Sequence, residues 1–169
     1  MGASGWHYFT PYREDVGQAL EELRQRVFRS GEYGDWWQVG RMTDAELAAL
    51  PPALRDVFTK RRDDIRSLQA SRPPPATIDE ALQRAGEEGT HTILDICRGL
   101  SAGPGLTTAF PMPDDLMLAF FGTTCPTREQ VEANRRARDE GPDRWECWYV
   151  VAYKDGRPDE IYFEGSSGD

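Results

Sequence analysis

Two proline tracts divide this chain before any other feature is weighed. Pro51–Pro52 and Pro73–Pro74–Pro75 cannot lie inside a helix, because proline has no N–H to donate and its ring strikes the preceding turn. Any helix between them is confined to about residues 53–69. There Leu54, Val57, Phe58, Ile65 and Leu68 form an apolar stripe that is interrupted at Arg61. The second tract is also an electrostatic divide. Residues 1–72 carry 11 acids and 11 bases and residues 73–169 carry 18 acids and 9 bases, so the whole net charge of −9 lies beyond it. The tract itself reads as a rigid connection within one domain spanning 1–164.

Elsewhere, periodicity and punctuation predict the elements. Residues 6–9 read as a short strand. Thr10 as N-cap and Pro11 at the first helical position then open a helix with Val16, Leu20, Leu23 and Val27 on one face, stopped by Gly31. Residues 32–40 carry Trp36 and Trp37 between glycines, as a strand or structured loop. Thr43 with Glu46, and Thr77 with Glu80, are spaced as capping boxes. Residues 92–96 (Thr-Ile-Leu-Asp-Ile) predict a buried strand, 98–113 a long loop, and 114–121 a short helix. A second helix from Thr127 to about residue 139, with little apolar content beyond Val131, is expected at the surface. Residues 145–154 and 160–164 predict a β-hairpin around Asp155 and Gly156, followed by a disordered tail at 165–169.

The fold class expected is α+β: a small, mainly antiparallel sheet of three to five strands, helices packed mostly on one side, closed by the C-terminal hairpin. Leu20, Leu23, Val27, Val57, Phe58, Leu82, Leu94 and Ile96 are its expected core.

The longest apolar runs, 116–121 and 147–153, are far below the roughly 18 residues of a membrane span, so no membrane association is expected. The first dozen residues have neither a basic segment nor an apolar stretch of signal type, which predicts a cytoplasmic location. Cys97, Cys125 and Cys147 lack paired spacing and read as free thiols. With no CxxC or HxxxH spacing beside them, neither a metal nor a cofactor is expected. Of the 20 bases 18 are Arg, and Asn134 is the sole Asn, a skew that GC-rich bacterial codon usage produces. Acidity opposes direct nucleic-acid binding, since Lys60, Arg61, Arg62 and Arg66 are interrupted by Asp63 and Asp64, and Arg135, Arg136 and Arg138 are followed by Asp139 and Glu140.

Two sets of residues are candidates for function. On a strand at 91–97, His91, Asp95 and Cys97 share a face, but His91 and Asp95 would stand about 13 Å apart, too far for a catalytic triad. A small enzyme or small-molecule binder would instead need a pocket between that strand and the 98–113 loop. The other set is aromatic and acidic. A five-residue hairpin loop pairs Lys154 with Glu160, Ala152 with Tyr162 and Val150 with Glu164, and leaves Glu160, Tyr162 and Glu164 on one outward face; a six-residue loop keeps those three together. Trp36 and Trp37 point to opposite sides of an extended backbone, so one should leave the core. With no motif for catalysis, the leading expectation is a bacterial protein of immunity-like or regulatory type. It would bind another protein, a basic one being suited to its charge, through Trp36, Trp37, Glu160, Tyr162 and Glu164.

Overall fold

The computed structural model describes residues 5–33, 39–40, 42–71, 73–137 and 141–168, with Gln69 as backbone alone. Trp36 and Trp37 lie outside the described residues. The chain forms β1 (Gly5–Pro11), α1 (Val16–Ser30), α2 (Asp44–Ala49), α3 (Pro52–Ser71), α4 (Ile78–Ala85), β2 (Thr108–Pro111), α5 (Asp114–Phe121), α6 (Arg128–Ala137), β3 (Glu146–Lys154) and β4 (Arg157–Ser166). One four-stranded sheet has the order β1-β4-β3-β2. Its pairs are antiparallel except β2 with β3, which run parallel. The fold is α+β with a mixed sheet.

That parallel pair decides where the helices go. Parallel strands need a crossover connection, and α5 and α6 occupy it. They cover one face of the sheet, where Met112, Val131, Val150 and Tyr162 are buried with Phe9, Leu116, Phe120 and Trp148 around them. The opposite face carries Trp6, Ala109, Cys147, Ile161 and Phe163 and packs against Leu20, Leu23 and Val27 of α1, Ala81 of α4, and Ile93, Leu94 and Ile96. Helices therefore lie on both faces, α1 and α4 on one and α5 and α6 on the other. Each fully buried aliphatic side chain here stabilises the fold by roughly 1.5–3 kcal/mol.

The expected strand at 92–96 is instead a 3-10 turn, Ile93–Asp95. Local side chains take the backbone groups that a ladder would need: Thr92 Oγ1 accepts the Leu94 N–H and Asp95 Oδ1 accepts the Thr90 N–H. Leu94 and Ile96 are buried all the same. The 98–113 segment is not wholly loop, because residues 108–111 form β2 and Leu100 bridges to Ala109. Near the start, β1 continues through Pro11, which an edge strand tolerates, and Asp15 rather than Thr10 caps α1 by accepting the Gln18 N–H. The capping box at Thr43 and Glu46 is complete. Thr77 caps α4, while Glu80 reaches one residue further back, to the Ala76 N–H.

The hairpin turn has two residues, Asp155 and Gly156, at φ 52° and 75°, the left-handed pair that matches strand twist. The register slips between Ala152 and Tyr153, leaving Asp159 as the extra residue. Its carbonyl accepts the Tyr12 N–H at 2.9 Å. Short turn plus bulge place Ala152 opposite Glu160 and Val150 opposite Tyr162, two residues from the five-residue-loop register, so the division into faces is unchanged. The segment expected to be a disordered tail continues β4 through Ser166, and Ser167 is fully buried.

Burial separates the three thiols. Cys147 is buried and its thiol is pushed well above the ordinary range by desolvation, whereas Cys97 and Cys125 are exposed. Native protein is expected to react promptly with Ellman's reagent at two thiols and at the third only in denaturant. Three fast thiols would mean that the centre of the sheet opens readily.

Candidate functional site

Asp95 is the centre of a buried polar network at one end of the sheet. Its Oδ1 accepts the Thr90 N–H at 2.7 Å and the Thr90 hydroxyl at 2.8 Å, and its Oδ2 accepts the Ser167 hydroxyl at 2.7 Å. Ser167 Oγ in turn accepts the Trp6 indole N–H at 3.0 Å. Thr90 and Thr92 hydroxyls lie 2.8 Å apart, and because the Thr90 proton is committed to Asp95, Thr92 is the donor. A Cβ on Gly89 would stand 2.9 Å from Asp95 Oδ2 and 2.8 Å from the Trp145 ring, so only glycine lets the loop close over the carboxylate. The Tyr8 hydroxyl is pushed up to about 12, first by burial and then by the Asp95 charge. It is neutral at physiological pH.

This arrangement holds the chain rather than opening to a ligand. Asp95 is 1 % exposed and each carboxylate oxygen is engaged by the protein. His91 is half-buried with φ 56°, and Cys97 faces solvent. His91, Asp95 and Cys97 therefore do not line a common pocket face. Among the described residues no three His, Cys, Asp or Glu side chains are grouped to hold a metal. A cavity of about 370 Å³ lies elsewhere, between α1 and the start of α4, against Glu21, Arg24, Gln25, Phe28 and Thr77. Several of its polar groups are engaged locally: Glu21 accepts from both Arg24 and Gln25, and Thr77 Oγ1 accepts the Glu80 N–H, while Arg24 Nε is buried without a partner among the described residues. They do not converge on a common point as catalytic groups would.

The hairpin residues are placed differently from expectation. Tyr162 is 1 % exposed, its ring 4.8 Å from Phe9 between centroids. Both oxygens of Glu160 accept from Arg128, at 2.7 and 2.8 Å, and the same guanidinium lies 4.1 Å over the Phe9 ring. Glu164 is half-buried opposite His7 and Trp148. The face expected to be open is covered by α5 and α6. α6 seats on it through Val131, with Arg128 neutralising the acid below. Its low apolar content concealed this.

What is open is α3. It docks through arginines: Arg55 donates to the carbonyls of Ala48 and Leu50, Arg62 to Asp44 and the Met42 carbonyl, and Arg66 to the carbonyls of Gly40 and Met42. Arg62 is the only buried residue among the described side chains of this helix. The apolar stripe turns away. Leu54, Val57 and Leu68 are 46 %, 60 % and 56 % exposed, with Phe58 and Ile65 half-buried along one margin. Val57 and Phe58 are thus not core. Helical spacing did reveal the stripe, but nothing in it told whether the body of the protein or something else covers it. No helix among the described residues is long and apolar enough to cross a membrane. Comparison of the chain with protein-family models, curated proteins and solved structures returns no match.

Proposed function

We propose that this chain is a binding protein whose contact surface is the apolar stripe of α3. The observation that carries the reading is the helix's division of labour: one flank spends its arginines on the body of the protein while Leu54, Val57 and Leu68 face solvent. A row of exposed apolar side chains along a helix is the form in which helices meet other helices or grooves. The full engagement of Asp95 and the absence of convergent groups at the α1–α4 cavity weigh against a small enzyme. An immunity-like or regulatory role in a bacterial cytoplasm is the concrete form this binding would take. Acidity beyond residue 72 would favour a basic partner at a distance, but Glu160 is already neutralised by Arg128, so the specific contact is assigned to α3.

A photo-crosslinking residue in place of Val57, introduced in the cells that make the protein, is expected to give a discrete protein adduct. The same residue in place of Asp155, on the exposed hairpin turn, should give none. Absence of an adduct at positions 57 and 68, with the variants folded, would refute binding through α3.

A further inference from the structure

We infer that the occupant of the α3 stripe is a second copy of the same helix, laid antiparallel; this rests on the reading of α3 as a contact surface and names what it contacts. The stripe has coiled-coil spacing: Leu54, Arg61 and Leu68 fall seven residues apart, and Val57 and Asp64 occupy the second core position between them. In an antiparallel pair, residues whose numbers sum to a constant face one another. Placing Val57 opposite Leu68 of the second copy puts Arg61 opposite Asp64, and the two-fold axis repeats both contacts. Two charged layers at the centre are then flanked by two apolar layers, with Leu54 extending each end. Phe58 and Ile65, along one margin, come beside each other across the pair. A parallel pair would instead set Arg61 against Arg61 and Asp64 against Asp64, so charge selects the antiparallel arrangement.

The two central charges are free for this. Arg55, Arg62 and Arg66 are all engaged within the chain, whereas the side chains of Arg61 and Asp64 are exposed and make no hydrogen bond or ion pair with another described residue. They stand three apart on one face of the helix, a spacing that permits a local pair, yet they do not form one. The helix is 20 residues long, or roughly 30 Å. A single helix pair of that length lies at the low end of stable interface areas, so the dissociation constant is expected in roughly the micromolar range.

Charge exchange tests this without touching the core. Sedimentation equilibrium of the wild-type chain should give a monomer–dimer equilibrium in that range. Arg61→Asp alone and Asp64→Arg alone each bring like charges together twice, and each should weaken dimerisation by about 100-fold. Mixed in equal amounts, the two variants regain both oppositely charged contacts and should form a heterodimer close to wild-type strength. A wild type that stays monomeric at about 100-fold above that range overturns the inference. A dimer that survives either single exchange, or is not restored by mixing, overturns it as well. A monomeric wild type whose residue-57 crosslinker still captures a different protein would remove self-pairing while leaving binding through α3 intact; failure of both would remove both.

Discussion

Gly165→Ala is expected to lower stability by roughly 3–5 kcal/mol, more than most single methyl additions, because the new methyl has nowhere to go. Gly165 lies in β4 between Trp6 of β1 and Cys147 of β3. A Cβ there would stand 2.2 Å from two atoms of the Trp6 ring and 2.9 Å from the Glu146 carbonyl oxygen. The backbone of an inner strand cannot retreat, so the indole must. Its N–H would then lose Ser167, which is itself bonded to Asp95, and the steric cost spreads into the polar network. Urea unfolding measures the loss directly. The double variant Gly165→Ala with Trp6→Leu should recover part of it, because the two residues collide with each other. A loss below about 1 kcal/mol, or strict additivity with Trp6→Leu, would mean that the indole is not wedged over the glycine.

Asp95→Ala should cost about as much, for an electrostatic reason. Removing the carboxylate strands three donors, the Thr90 N–H, the Thr90 hydroxyl and the Ser167 hydroxyl, in a site closed to water. At about 1–3 kcal/mol for each donor left unsatisfied, with some relief by local shifts, a loss of roughly 3–5 kcal/mol is expected. Asp95→Asn retains one oxygen toward Thr90 and should lose only about half as much, since its amide meets Ser167 with a donor where an acceptor was. Tryptophan emission should shift in both variants as Trp6 loses its anchor. Equal losses for Ala and Asn would show that volume, not hydrogen bonding, is what Asp95 contributes.

Much of the architecture was legible from local chemistry. Helix α1 follows from its 3.6-residue stripe, α2 from the box at Thr43 and Glu46, and the strand pair β3–β4 from apolar alternation around Asp155 and Gly156. Reading failed where a distant contact overrode the local pattern. Residues 92–96 are as apolar as a strand, but Asp95 is held by Ser167, 72 positions away, a bond no window along the chain contains. β2 is only four residues long and lies in a glycine- and proline-rich stretch that reads as loop; its parallel partner supplies the order. The burial of Tyr162 depends on α6, whose cover comes from one valine and one arginine–glutamate pair rather than from an apolar stripe. For the candidate contact surface the situation was reversed. The stripe on α3 was plain in the sequence, and its natural reading as core was wrong because its neighbours Arg55, Arg62 and Arg66, rather than its apolar residues, attach the helix.

The order of strands also bears on how the protein is made. Among the described strands β1 pairs with β4 alone, and Trp6 is fastened to Ser167, 161 residues later in the chain. On the ribosome, β1 therefore waits without a partner until β4 has been made, with Trp6 and Tyr8 exposed. Contacts at such separation make the loop-closure entropy of the sheet large and its formation slow. The helices can form as they emerge, but the sheet that unites them cannot be completed until β4 is released. The vulnerable species in the cell is consequently the chain whose β4 has not yet emerged, and it is there that a chaperone with affinity for aromatic segments would engage.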